Sequence, residues 1–265
     1  MHPILFQFPA SIPLIGGLSL YTYGVLVATA FLLGMLWTLR EARLAGVDRN
    51  QVSDLTFYVI LAAIIGSRLF YVIVEHERFV REPLAVFRIW EGGLVFYGGL
   101  LGCIAVSWWY THRHGWSLAR TADLFMPGVA LGHAMGRLGC LMAGCCYGRP
   151  VSGDPWWALT FPANEHGLAP VGIPLYPTQL LESLAELFIF GLLIWRRRHQ
   201  RFAGQVFLLY LISYAILRSL LEILRGDQVR GFVVPGILSV AQMMSLVVIL
   251  ACLVAYHRLR NRTSL

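Results

Sequence analysis

Residues 204–225 read GQVFLLYLISYAILRSLLEILR. The first twenty of them are close to the ~20 apolar residues that a helix needs to cross a bilayer. The same stretch carries Tyr214, Arg218, Glu222 and Arg225, spaced i, i+4, i+8 and i+11. On a helix these positions share one face. An apolar span with a line of ionisable groups down one side is a membrane helix that turns its polar stripe toward other protein.

Outward from this stretch the pattern repeats. The reading predicts about seven spans, at 19–39, 55–75, 92–111, 122–143, 177–195, 204–223 and 233–256. Composition agrees: hydrophobic residues are 57%, charged residues 13% and mean hydropathy +0.65. Soluble domains carry roughly 25% charged residues, so this chain cannot cover a water-facing surface. No internal repeat is evident and no segment is long enough to fold as a separate soluble domain. We therefore expect one integral membrane domain over 1–265. Residues 1–18 have no basic n-region and hold three prolines, which argues against a cleavable signal peptide and for an interfacial arm.

Every cation is an arginine, and the formal charge is +7. The arginines cap helix ends instead of forming one patch, which argues against nucleic acid. Arg40, Arg43, Arg49, Arg113, Arg120, Arg196, Arg197, Arg198, Arg201, Arg258, Arg260 and Arg262 fall on one side, twelve in all. Six fall opposite: Arg78, Arg81, Arg88, Arg149, Arg225 and Arg230. The positive-inside bias then puts the N-terminus outside and the C-terminus in the cytoplasm. In the loop 76–91, Glu77, Glu82 and Glu91 offset the arginines on the outer side. The longest loop, 144–176, is expected to form a small extracytoplasmic head or lid, with Trp156 and Trp157 suited to the interface.

Three arginines stay inside spans: Arg68, Arg137 and Arg218. Each costs about 2.5–3.5 kcal/mol at a helix centre on the insertion scale, so each needs a partner or a polar cavity. Structural ion pairing is the plain alternative, above all for Arg218 with Glu222 one turn on. Two further stripes follow the same spacing: Gln179, Glu182 and Glu186 in span five, and His133, Arg137, Cys140 and Gly144 in span four. Three facing stripes imply a hydrated cavity lined by guanidinium groups, whose planar fork matches phosphate oxygens. In a membrane bundle the phosphate is that of a phospholipid headgroup.

Two segments are rich in glycine. Residues 90–102 read WEGGLVFYGGLLG, where close helix packing by small residues is the simpler explanation. Residues 136–149 read GRLGCLMAGCCYGR. Cys140, Cys145 and Cys146 invite a zinc reading with His133, but adjacent cysteines without a second paired set fit structural zinc spacing poorly. They are read as small packing residues, and no metal or cofactor is expected.

Through these motifs the chain resembles the bacterial prolipoprotein diacylglyceryl transferases over essentially its whole length. The signature Gly136-Arg137-Leu138-Gly139 to Tyr147-Gly148-Arg149 matches. So do, in order, Tyr23-Gly24, Gly66-Ser67-Arg68, Gly92-Gly93 with Gly98-Gly99, Tyr176-Pro177-Thr178-Gln179 with Glu182, the set Arg218, Glu222, Arg225 and Asp227, and Gly236-Ile237-Leu238-Ser239 with Gln242. The resemblance implies an enzyme of the bacterial inner membrane. It moves the diacylglyceryl group of phosphatidylglycerol to the lipobox cysteine thiol of a prolipoprotein signal peptide, the first step of lipoprotein maturation. It also implies seven helices and a head between the fourth and fifth. Carried over residue by residue, it makes Tyr23, Arg68, Gly98, Gly99, Arg137, Gln179, Glu182 and Glu222 substrate-binding candidates, and Arg137 and Arg225 the phosphate-stabilising pair.

The chain departs from the better-known members at Tyr97, where they carry histidine, and at Cys140 and Cys145, where they carry asparagine and glutamate. The general base is therefore open between Tyr97, His133 and no protein group at all. His133 lies one turn before Arg137, and imidazole is the side chain that exchanges protons near neutral pH. A phenol ionises far above it. Two other classes stay in view: a lipid transporter or flippase, against which the lack of inverted repeats argues, and a catalytically altered relative that only binds lipid.

Overall fold

A computed structural model describes residues 4–7, 19–89, 92–163, 168–226, 231–234 and 238–262. Most of the arm 1–18, together with Asp227, Gly236 and Ile237 of the sequence motifs, lies outside the described residues. The elements in chain order are β1 (Ile4–Gln7), β2 (Ser19–Tyr21), α1 (Thr22–Leu44), α2 (Arg49–Val74), α3 (His76–Arg81), α4 (Phe96–Arg113), α5 (Leu118–Ala143), β3 (Leu159–Thr160), β4 (Pro174–Leu175), α6 (Thr178–Arg198), α7 (Gln205–Leu224), β5 (Phe232–Val234), β6 (Leu238–Ser239) and α8 (Val240–Arg262). A 3₁₀ turn at Pro83–Phe87 joins α3 to α4.

The protein is mostly helical. Five helices, α1, α2, α6, α7 and α8, are long and apolar enough to cross a membrane. Multiple apolar helices of this kind make it an all-α, multi-pass membrane protein. Of the other two long helices, α4 carries three glycines and ends in His112-Arg113, and α5 carries Arg120, Asp123 and Arg137. Two helices begin four or more residues later than the sequence predicts. α4 starts at Phe96 and not at 92, because Gly92 and Gly93 both take positive φ and turn the chain. α8 starts at Val240 and not at 233, because Phe232–Val234 pairs with Leu238–Ser239 as a two-stranded ribbon.

The helix α6 shows how membrane solvent inverts the usual pattern. It buries Thr178, Gln179, Glu182, Ser183 and Glu186, and exposes Leu184, Leu187, Phe188 and Trp195. In water this arrangement would strand ionisable groups inside and leave apolar area outside. In lipid the apolar face is the solvated one and the polar face must find partners in protein.

The chain divides into two compact units, Thr38–Leu124 and the remainder, 1–37 with 125–265. In the smaller unit α2 and α4 pack along glycines. A Cβ at Gly102 would come 2.5 Å from the Ala62 carbonyl oxygen, and one at Gly98 or Gly99 would fall on Gly66 or Ser67 of α2. The absent side chains let the backbones touch. In the larger unit Gly34 of α1 meets Gly128 of α5 in the same way. Ala130, Ile189, Leu193, Val206 and Tyr210 form its core across α5, α6 and α7, and Phe202, Leu208 and Cys252 join α7 to α8.

Residues 144–176 leave the end of α5 and return to α6. β3 pairs antiparallel with β4, and Phe161, Ala169 and Leu175 pack on Leu141 of α5. The segment Tyr147-Gly148-Arg149 is sandwiched between the end of α7 and Tyr176. Arg149 N–H donates to the Leu224 carbonyl at 2.8 Å, Gly226 N–H to Tyr147 at 3.1 Å, and Tyr176 N–H to Arg149 at 3.1 Å. A Cβ on Gly148 would fall inside the Tyr176 backbone, and one on Gly226 would lie 2.6 Å from the Gly148 carbonyl oxygen. Only hydrogen fits at either position.

Candidate active site

The core of the site follows from helix direction. α5 and α6 run antiparallel, and the Ser183 hydroxyl donates to the Ala134 carbonyl at 2.9 Å. Basic side chains one turn apart on α5 therefore face acids one turn apart on α6. Arg137 Nη2 lies 2.9 Å from Glu182 Oε1, and His133 Nδ1 lies 2.9 Å from Glu186 Oε1. Glu186 is fully buried (0% exposed) and Glu182 nearly so. Arg137 balances the charge of Glu182, and removal of one partner from a buried ion pair typically costs about 3–5 kcal/mol.

The pairs do not use up the groups that form them. Among the described residues Arg137 Nε, which is buried, has no hydrogen-bond partner, and neither has Glu186 Oε2. Nδ1 of His133 also lies 3.4 Å from the Tyr210 hydroxyl, and its ring tilts against Tyr214 at 4.9 Å between centroids. With Nδ1 turned to the carboxylate, Nε2 is the nitrogen left for a ligand.

Around this pair of pairs stand the other candidates of the larger unit. Tyr23 of α1 packs its ring against Gly139. On α7, Arg218 and Glu222 form an i,i+4 pair at 2.5 Å, as the stripe spacing suggests. Arg225 caps the C-terminus of α7 in extended conformation, bridged by backbone to Gly148. Gln179 Nε2 donates to the Cys145 carbonyl at 2.9 Å, and Thr178 Oγ1 to the Cys146 carbonyl at 2.9 Å. Gln179 thus holds backbone at the exit of α5.

The remaining candidates, Arg68, Tyr97, Gly98 and Gly99, belong to the smaller unit. Arg68 is buried, and its guanidinium is surrounded by carbonyl oxygens. Nε donates to Val86 at 3.0 Å, Nη1 to Gly92 at 2.7 Å and Gly93 at 3.2 Å, and Nη2 to Ala85 at 2.5 Å and Arg88 at 3.1 Å. The rings of Tyr71 and Phe79 lie 5.5 and 5.4 Å from its Cζ. Gly92 and Gly93, at φ +85° and +72°, turn both carbonyls onto it. Gly98 and Gly99 are buried against α2. Tyr97 is 54% exposed, stacks edge-on with Phe96 at 5.8 Å, and its hydroxyl makes no hydrogen bond with a described residue.

Glu186 is the functional candidate that residue-by-residue carry-over omits. The signal for it was present. His133 and Arg137 are four apart, Glu182 and Glu186 are four apart, and antiparallel packing aligns the two ladders.

A bundle that buries cation–carboxylate pairs on its inner faces, in helices solvated by lipid, defines a membrane-embedded polar site. Comparison with known proteins places it. The model of the prolipoprotein diacylglyceryl transferase family matches residues 9–258, and the chain belongs to that family of transferases. It is 32% identical to the phosphatidylglycerol–prolipoprotein diacylglyceryl transferase 2 of Clostridium perfringens over 241 residues, 91% of each chain. It is 36% identical to the phosphatidylglycerol–prolipoprotein diacylglyceryl transferase of Vibrio parahaemolyticus, covering 91% of this chain and 88% of that one. With the enzyme of the same name from Synechococcus elongatus it shares 35% identity over 89% of this chain and 82% of the relative.

Proposed function

We propose that this protein transfers the diacylglyceryl group of phosphatidylglycerol to the thiol of a lipobox cysteine in bacterial prolipoproteins. The observation that carries the reading is Arg137. It is paired to Glu182, yet its buried Nε has no partner among the described residues, in a site where an anion can complete its shell. A phosphate oxygen is the ligand that an arginine fork fits best.

The chemistry needs little more. The acceptor sulfur attacks the glyceryl carbon, a C–S bond forms and the C–O bond to phosphate breaks. Glycerol phosphate leaves with the electron pair, and the thiol proton passes to a base. Arg137 and Arg225 stabilise the charge that grows on the phosphate; fixed charges aimed at a developing anion often lower a barrier more than any other single effect. His133 is the base, with Glu186 orienting Nδ1 so that Nε2 accepts the proton. Tyr23 and Glu222 line the same site. Arg68, with its donors on backbone carbonyls, shapes the Gly92–Gly93 turn and reaches substrate only through it. Gly98 and Gly99 serve α2–α4 packing.

The setting follows from the arginine distribution: seven spans in one membrane domain, N-terminus outside, C-terminus in the cytoplasm, and 144–176 as a head on the outer face of the inner membrane. Cysteines introduced at Arg197 and Asp154 are expected to label from opposite sides of the membrane. Labelling of both from one side overturns this topology.

The deciding assay incubates the purified protein with labelled phosphatidylglycerol and a lipobox peptide, with a Cys→Ser peptide as control. One diacylglyceryl unit is expected on the thiol, with glycerol phosphate released. Lipid movement across the bilayer without peptide modification would instead assign a transporter.

A further inference from the structure

The chemistry proposed above makes no use of the protein's own sulfur, yet three of the five cysteines converge. Cys140 lies in the last turn of α5, and Cys145 and Cys146 follow just past its end. Their Sγ atoms all lie within 4.8 Å of one another, all three are free thiols, and none is exposed. The sequence spacing invites a zinc reading and fits it poorly, because the convergence is made by the backbone beyond α5.

That backbone is held in an unfavourable shape. Gly144 takes φ +71° and ends the helix, and the Cys145 N–H reaches back to the Cys140 carbonyl at 3.1 Å. Cys146 takes φ +58°, the one non-glycine residue with positive φ among the described residues. A residue with a Cβ adopts this region seldom, and strain there persists only where the surroundings fix it. Here the first turn of α6 fixes it: Gln179 and Thr178, both buried, hold the Cys145 and Cys146 carbonyls at 2.9 Å. The thiols are thereby placed before any ligand arrives.

The electrostatics suit anionic sulfur. Arg137 Nη1 lies 4.0 Å from Cys140 Sγ. Arg225 and Arg137 both add positive charge at the cluster.

We propose that Cys140, Cys145 and Cys146 form a three-coordinate site for a soft, thiophilic monovalent cation of the cuprous type. Three sulfurs each ~2.3 Å from a central ion sit roughly 4 Å apart, so closing the cluster takes a contraction of less than about 1 Å. Among the described residues no histidine or carboxylate joins the three sulfurs. A structural zinc ion would lack its fourth donor, whereas thiolate sulfur selects Cu(I). Loading releases the thiol protons to solvent. Three thiolates and one monovalent cation carry net negative charge, and Arg137 and Arg225 stand close enough to offset it.

The test uses the reduced, full-length protein in detergent under anaerobic conditions. Cu(I) is titrated against a chromophoric cuprous chelator. One equivalent per chain is expected to be withheld from the chelator, with affinity rising as pH rises because loading releases protons. Each of Cys140→Ser, Cys145→Ser and Cys146→Ser is expected to weaken binding at least tenfold, and the Cys103→Ser/Cys252→Ser double variant to keep it. X-ray absorption on the loaded wild-type protein, which needs no variant to fold, is expected to show a shell of three sulfurs alone. Failure to compete with the chelator, binding that survives loss of all three thiols, or a nitrogen or oxygen in the copper shell overturns the proposal. So does finding that the protein, as isolated, has only three titratable thiols and two hydrogens missing by mass, because the cluster is then a disulfide switch.

Discussion

Arg68 and Arg137 are the same residue type, both set in helices of one membrane protein, and the structure treats them in opposite ways. Arg68, in the smaller unit, is buried, spends its donors on five backbone carbonyls and meets no carboxylate among the described residues. Arg137, in the larger unit, is balanced in charge by Glu182 but keeps a buried Nε without a partner among the described residues. A guanidinium closed on backbone is a clamp, and one closed in charge but open in hydrogen bonding is poised for a ligand. The lesson extends to their neighbours. In the smaller unit the glycines close on helix packing, and in the larger one Glu186 keeps Oε2 without a partner among the described residues.

The contrast is broken most severely at Arg68. Arg68→Met strands several carbonyls around a cavity, and each buried polar group left unpaired costs ~1–3 kcal/mol. A loss of stability on the order of 3 kcal/mol or more is expected, read as a lowered thermal midpoint in detergent micelles. Arg68→Lys is expected to restore only part of it, because an ammonium cannot reproduce the fork. A wild-type midpoint for Arg68→Met would mean that the clamp is not structural.

His133→Ala strips buried Glu186 of its partner and is expected to lower the thermal midpoint, while in the protein that folds transfer falls about a hundredfold, roughly 2.7 kcal/mol in the barrier. Unchanged rates at every pH would mean that the arginine field alone ionises the acceptor thiol.

Arg137→Lys sharpens the comparison at the other arginine. The charge opposite Glu182 remains, so thermal stability should stay near wild type. The fork is lost, and transfer is expected to fall at least tenfold, about 1.4 kcal/mol. Near-normal transfer in folded protein would refute phosphate clamping. Lost stability would make Arg137 a second Arg68.

Much of this division was legible in the residues. Spacing alone aligned the stripes of α5, α6 and α7, and paired Arg218 with Glu222. The ladder of His133 and Arg137 against Glu182 and Glu186 needed only the antiparallel sense of neighbouring helices. The destination of Arg68 was not legible, because carbonyls of Ala85, Val86 and Arg88 leave no mark in side-chain pattern. The late starts of α4 and α8 were hidden for a related reason: apolar residues such as Leu94 and Val233 suit a helix by composition, and backbone geometry takes them out of it. The convergence of the thiols was hidden too, since the positive φ of Cys146 is set by residues more than thirty positions away.

The smallest expected effect tests whether the smaller unit is structural throughout. Tyr97 stands where better-known members of the family carry histidine, and position alone would make it the base. Its surroundings argue otherwise. The ring is more than half exposed, its hydroxyl bonds to no described residue, and no described carboxylate orients it. His133 has Glu186 at 2.9 Å for that purpose. Tyr97→Phe removes only the hydroxyl, and transfer is expected to stay within threefold, under about 0.7 kcal/mol. The variant should be assayed beside His133→Ala across the same pH range, at saturating lipid and peptide, so that a change in KM is not mistaken for one in kcat. If Tyr97→Phe abolishes transfer and His133→Ala does not, the aromatic hydroxyl has taken the histidine's role and catalysis reaches into the smaller unit. In that event Arg68, which organises the turn leading to Tyr97, positions a catalytic group, and its variants should lose kcat in proportion to how far that turn has moved.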